Sequence, residues 1–134
     1  MTLKSLIRIL KIISIREKKR FIKFGTNYFV IAGTFDKNYN LIAYGVNSYI
    51  KTHPYQKLLA IKNGNEHKIF LHAEIDALVK TKIDAFGIVV LRLDSKGNFC
   101  ISKPCMICSM AIKKSGIKKI VYFDKEFIVV KTLD

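Results

Sequence analysis

The chain has 134 residues, half of them hydrophobic, with no low-complexity tract or linker; this suits one core without disulfide staples, and a single domain over 1–134 is expected. Its 24 basic and 10 acidic residues give a formal charge of +14, which favours a polyanionic partner over a compositional bias toward lysine alone. The three cysteines are too few and too oddly numbered for a disulfide framework; they suit a reducing, cytoplasmic setting, where close pairs serve metal or redox chemistry.

Residues 1–24 hold eight basic side chains against Glu17 alone. Leu3, Leu6, Ile7, Leu10 and Ile13 recur at helical spacing with Lys4, Arg8 and Lys11 on the other side, so the segment reads as a basic amphipathic helix packed on the domain. Arg8 and Lys11 interrupt any signal-peptide core, and the segment is too short and too charged to span a bilayer; no membrane partner is expected. "NYFVIAGTF" (27–35) and "LIAYGV" (41–46) read as strands of a hairpin joined by the turn "DKNYN" (36–40). A short helix over 55–62 ends at "NGN" (63–65), and a second helix over 73–82 carries Ile75, Leu78 and Val79 as its apolar stripe.

"GIVVLRL" (87–93) is a core strand, followed by the turn "SKGN" (95–98). Pro104 is expected to open a helix over 105–114 at its first position. "IKKIVYF" (117–123) and "FIVVK" (127–131) are the last strands, and only three residues separate them. A parallel crossover needs a dozen or more, so these two strands are antiparallel neighbours. The whole is an α/β sandwich around a mixed five-stranded sheet.

Two stretches carry chemistry. "FLHAEIDAL" (70–78) opens a helix with His72 and Glu74, and "SKPCMICSM" (102–110) opens another with Cys105 and Cys108. Cysteines three apart at a helix start put both sulfurs on one face, where the helix dipole and free amides favour thiolates. Zinc prefers thiolate and imidazole, and a catalytic site keeps three protein ligands and an open fourth position. His72, Cys105 and Cys108 supply such a set. Glu74 is nearly half a turn from His72 and reaches the same region if the metal sits off the helix end, where a carboxylate can shuttle protons without binding the ion. The competing readings are a capping histidine, a solvated glutamate and core cysteines, or a structural zinc completed by His53 or His67. The conjunction of both halves, each opening a helix, favours the catalytic zinc.

"HAE" (72–74) with "PCMIC" (104–108) resembles the zinc-dependent cytidine/deoxycytidylate deaminase superfamily from about Tyr28 onward. The resemblance implies an α/β/α sandwich and one zinc per chain on His72, Cys105 and Cys108. It also implies Glu74 as the proton shuttle while water replaces the exocyclic amine and cytosine becomes uracil. By the same resemblance Asn47 of "GVN" touches the sugar, and the backbone of Ala73 contacts the base. "KTHPYQ" (51–56) is similar to a stretch of uncharacterised phage-borne and bacterial deaminases, with His53 and Tyr55 at the pocket mouth. Lys103 departs from relatives, which carry other residues before the proline. The lack of a helix between the last two strands resembles free-cytidine deaminases and certain DNA-acting toxin deaminases. Cys100 reads as buried filler.

The expected substrate is cytosine in single-stranded DNA or RNA, favoured narrowly by charge, or a free (deoxy)cytidine nucleoside or nucleotide. Tyr49, Tyr55 and Phe70 are candidates to stack an unpaired base, and Lys18, Lys19 and Arg20 to contact phosphates. The rivals are an adenine deaminase and a nucleic-acid-binding module with a structural zinc, which needs a fourth protein ligand and no role for Glu74. Homo-oligomerisation stays open.

Overall fold

The computed structural model describes residues 1–21, 29–48, 52–64, 71–94, 96–124 and 127–133, without the side chains of 18–21. In chain order the elements are α1 (Leu3–Phe21), β1 (Phe29–Phe35), β2 (Leu41–Val46), α2 (Pro54–Lys62), α3 (Ala73–Lys80), β3 (Gly87–Leu93), β4 (Phe99–Cys100), α4 (Met106–Lys114), β5 (Lys119–Asp124) and β6 (Phe127–Thr132). The sheet runs β2-β1-β3-β5-β6, with β4 pairing β3 beyond the end of β5. The sheet is mixed as expected: β3 and β5 are parallel, and the other pairs, including β5 with β6, are antiparallel.

It has six strands instead of five. Asp94 accepts from the amides of Lys96 and Asn98 through Oδ1, and Gly97 takes φ 84°, folding the chain back on β3. Two residues then pair as β4, too few for any alternation to show in the sequence.

The period of two assigns the layers. Phe29, Ile31 and Phe35 of β1 and Val89, Leu91 and Leu93 of β3 meet Leu6, Leu10 and Ile13 of α1, so that helix packs on the sheet through this apolar stripe. Ala32 of β1 and Ile88 and Val90 of β3 point the other way, against Ala73 and Ala77 of α3 and Ile112 of α4. Beyond them α2 packs through Leu59 and Ala60 onto Ile75 and Ile107. The result is α1 on one face and α2, α3 and α4 on the other. Among the described residues no helix is long and apolar enough to cross a membrane.

Two contacts fix where α3 begins. A Cβ on Gly45 would come within 2.3 Å of the Ala77 amide nitrogen and 2.6 Å of the Ala73 carbonyl oxygen, so α3 lies directly on the β2 backbone. The buried Asp76 accepts from the Val46 amide at 3.1 Å and from Lys80 at 2.9 Å, tying the same helix to the end of β2. Helix α3 stops at Lys80, not Lys82, because Thr81 is extended with φ −82° and ψ 111°.

Candidate metal centre and its cavity

Helices α3 and α4 begin side by side, and their first residues carry the cluster. His72 is the N-cap of α3 (φ −83°, ψ 153°) and Cys105 the N-cap of α4 (φ −68°, ψ 170°); neither side chain caps its own helix. Pro104 therefore precedes the cap and is not the first helical residue. Cys108 lies three positions past Cys105, fully buried, with its sulfur turned back toward the helix start. His72 Nδ1 is 3.2 Å from Cys108 Sγ and 3.5 Å from Cys105 Sγ.

The three ligand atoms lie within 4.8 Å of one another. A tetrahedral zinc with bonds of about 2.1 Å to nitrogen and 2.3 Å to sulfur separates those atoms by about 3.6–3.8 Å. The two nitrogen–sulfur distances match that spacing to within a few tenths of an ångström, and the imidazole and two thiols form a donor set that suits zinc. Among the described residues no fourth side chain joins them.

Their electrostatics follow from proximity. The hydrogen bond from Cys108, helped by His72, holds the Cys105 thiol at a pKa of about 4 despite burial. That same hydrogen bond pushes the Cys108 thiol well above its ordinary range, and burial and the neighbouring Glu74 add to it. Glu74, at the second position of α3, is 6% exposed, and burial raises its carboxyl above the usual carboxylate range. It is not a solvated first-turn residue.

His72, Glu74 and Cys105 share a cavity of about 330 Å³ with Asn47, Ala73 and Arg92. Asn47 Oδ1 accepts from the Val30 amide at 2.9 Å, and the Asn47 amide donates to the Val30 carbonyl at 3.2 Å, which locks the residue to the end of β1. His53 is elsewhere: as N-cap of α2 its Nδ1 accepts from the Tyr55 amide at 3.1 Å, and it is not on the cavity wall. The loop before Pro54 needs a cap, and His53 supplies it. Tyr55 packs half-buried against the Leu59, Ile75 and Ile107 cluster. Cys100 is partly exposed on β4, not buried, because a two-residue strand at the sheet's rim has no layer above it. Tyr49, His67 and Phe70 lie outside the described residues.

Sequence patterns do not reveal two supports of the site. Gln56, fully buried on α2, accepts from the His72 amide at 3.3 Å, and no spacing marks it. Ser102 donates to the Val90 carbonyl at 2.7 Å and accepts from the Phe123 amide at 2.8 Å, stitching the loop before α4 to β3 and β5. Arg92 did carry a signal: it is the one charge in an otherwise apolar core strand.

No curated protein matches the chain. A family model does: that of the cytidine and deoxycytidylate deaminase zinc-binding region, over residues 13–124. The match takes in both helix starts and all three metal-binding side chains, and it agrees with the donor chemistry of the cluster. The chain belongs to the cytidine and deoxycytidylate deaminase family and is a zinc-dependent deaminase.

Proposed function

We propose that the protein hydrolyses the exocyclic amine of cytosine, giving uracil and ammonia, with Glu74 as the group that moves protons. One observation carries this reading. A buried carboxyl shares the cavity wall with His72 and Cys105 yet stands outside the metal cluster. A zinc ion held there supplies Lewis acidity and makes water a nucleophile near neutral pH.

The chain's own residues do the rest. Glu74 takes a proton from water as its oxygen bonds to C4 and delivers that proton to N3 of the ring. It then carries the proton of the new C4 hydroxyl to the amine, so that the C4–N bond breaks, the C4 carbonyl forms and ammonia departs as the neutral leaving group. A carboxyl whose burial opposes ionisation is suited to both directions of transfer, since catalytic groups work best with a pKa near the working pH. Val30, Leu71 and Val90 supply apolar wall that keeps bulk water from the base. Asn47, with its carbonyl oxygen engaged by Val30, has its NH₂ as the donor for a sugar hydroxyl, and the Ala73 backbone borders the base.

The family match supports cytosine over adenine. The net charge of +14 supports a polyanionic substrate, a single strand or a nucleotide, over a neutral nucleoside. The test is zinc-loaded protein incubated with cytidine, deoxycytidine, their monophosphates, adenosine, and single-stranded DNA and RNA, scored for uracil and inosine. Uracil is expected. Glu74→Ala should retain its zinc and lose about 10²–10⁴-fold in rate. Activity within a few-fold of the parent refutes the role, and loss of the metal from that variant supports a structural zinc instead.

A further inference from the structure

Helix α1 covers one face of the sheet through Leu6, Leu10 and Ile13, and its opposite side meets solvent. Lys4, Arg8, Ile12 and Ile15 recur at spacings of four, four and three, which lines them up on that outer side with Arg16 beside them. All five are exposed, and Ile12 and Ile15 are 59% and 60% accessible. Glu17, the only acid of the helix, is half-buried and accepts from the Tyr44 hydroxyl at 3.2 Å. The Lys11 ammonium lies 5.1 Å above the Phe99 ring. The outer ridge is therefore cationic, with two isoleucines set among the charges.

Single exposed isoleucines are ordinary on a protein surface. A pair of them one helical turn apart and flanked by cations is the composition of a helix lying in a membrane interface, with charges at the headgroups and apolar side chains below. A single strand of nucleic acid uses such cations equally well, but it pairs them with aromatic rings on which bases stack, and residues 3–17 contain none. The isoleucines decide between the two. We propose that the outer ridge of α1 docks the protein on an anionic phospholipid bilayer, lying along the surface without crossing it. This reverses the expectation of no membrane partner, which rested on the lack of a spanning segment or signal-peptide core; surface docking needs neither. The metal cluster heads the helices of the opposite layer, so docking through α1 keeps the cavity off the bilayer and open to a water-soluble substrate.

The experiment uses the zinc-loaded full chain with vesicles of phosphatidylcholine alone, vesicles that also contain phosphatidylserine, and a short single-stranded DNA. Three outward cations at about fivefold apiece give an expected preference of about a hundredfold for the anionic vesicles in co-sedimentation, shrinking as salt is added. Lys4→Gln/Arg8→Gln should weaken that binding about 25-fold. Ile12→Gln/Ile15→Gln, which leaves every charge in place, should weaken it about tenfold, because less apolar area leaves water. The second variant should bind the single strand as the parent does. The chain has no tryptophan, so Ile15→Trp adds a single reporter on the ridge, whose emission should shift to the blue with anionic vesicles.

All four positions are exposed, so none of these changes opens a cavity in the core. Failure to bind the anionic vesicles overturns the proposal. So does binding that the isoleucine pair leaves unchanged, since the cations alone then suffice. A blue shift of Ile15→Trp with single-stranded DNA and not with vesicles assigns the ridge to nucleic acid and overturns it as well. None of these readouts depends on uracil release, so the outcome leaves the deaminase reading where it stands.

Discussion

Cys105 and Cys108 share one proton when no metal is bound. The first is a thiolate above about pH 4, and the second keeps its proton well past the ordinary thiol range because it donates to the first. As metal ligands both are thiolates, so loading must expel the proton. At pH 8, above the usual range of imidazole, zinc uptake should release about one proton per chain from this pair. Below about pH 4 the sign is the same and the number larger, because Cys105 then also carries a proton that the metal must displace. Calorimetric titration with zinc in two buffers of different ionisation enthalpy measures the release. Release of none would mean that the cysteines are not ligands; a second proton at this pH has the water on the metal as its source and says nothing of Cys105.

At the scale of elements, α3 is aimed by a missing side chain. Gly45→Ala would drive a methyl group into backbone atoms of α3, which cannot rotate away as a side chain can, so the helix must shift. Overpacking of this kind costs about 1–3 kcal/mol, and His72 and Glu74 move with the helix. Urea denaturation and zinc content should both register the change. Gly33→Ala, whose new methyl meets the side chains of Leu10 and Leu41, should be milder on both.

This contact also marks the limit of what the sequence made legible. Strands β1 and β3 were readable as continuous apolar runs because helices cover both faces of the sheet there, β2, β5 and β6 as short β-branched and aromatic runs, and the stripe of α1 because burial on one face imposes a helical period. The ligands were readable because metal chemistry restricts residue type and the helix start restricts spacing. Gly45, Gln56 and Ser102 were not, since each is set by what another element brings within 3.5 Å, and no local pattern records that approach. The cap that His53 makes on α2 was not legible for a related reason: a histidine before a proline has the same appearance whether it caps a helix or lines a pocket.

Across the whole molecule, the basic side of α1 and the cavity belong to opposite layers. Lys4, Arg8, Lys11 and Arg16 are exposed on the helix that covers one face of the sheet, while the metal cluster heads the helices that cover the other. A single strand engaging both must pass around an edge of the sheet, so α1 would add affinity without touching the reacting base. If such a strand is bound, its affinity should fall steeply with salt, by about 0.7 decade per decade of salt for each neutralised phosphate. Changing Lys18, Lys19 and Arg20, whose side chains lie outside the described residues, to glutamine should lower that slope by about 2 in filter binding. An unchanged slope removes the end of α1 from the contact.

His72 and Cys105 occupy positions where helices ordinarily keep Ser, Thr, Asp or Asn to bond their first amides, a substitution worth about 1 kcal/mol apiece. The sequence has given up two end-locks on helices of eight and nine residues, and one ion held between their starts can replace both. Because the unfolded chain brings no such trio together, occupancy feeds directly into the folding equilibrium. The melting temperature should therefore rise with free zinc and drop on chelation, in Glu74→Ala as much as in the parent. In a zinc-starved cell the amount of intact protein, and not only its turnover number, would follow metal supply, making proteolytic lifetime a second readout of the same three side chains.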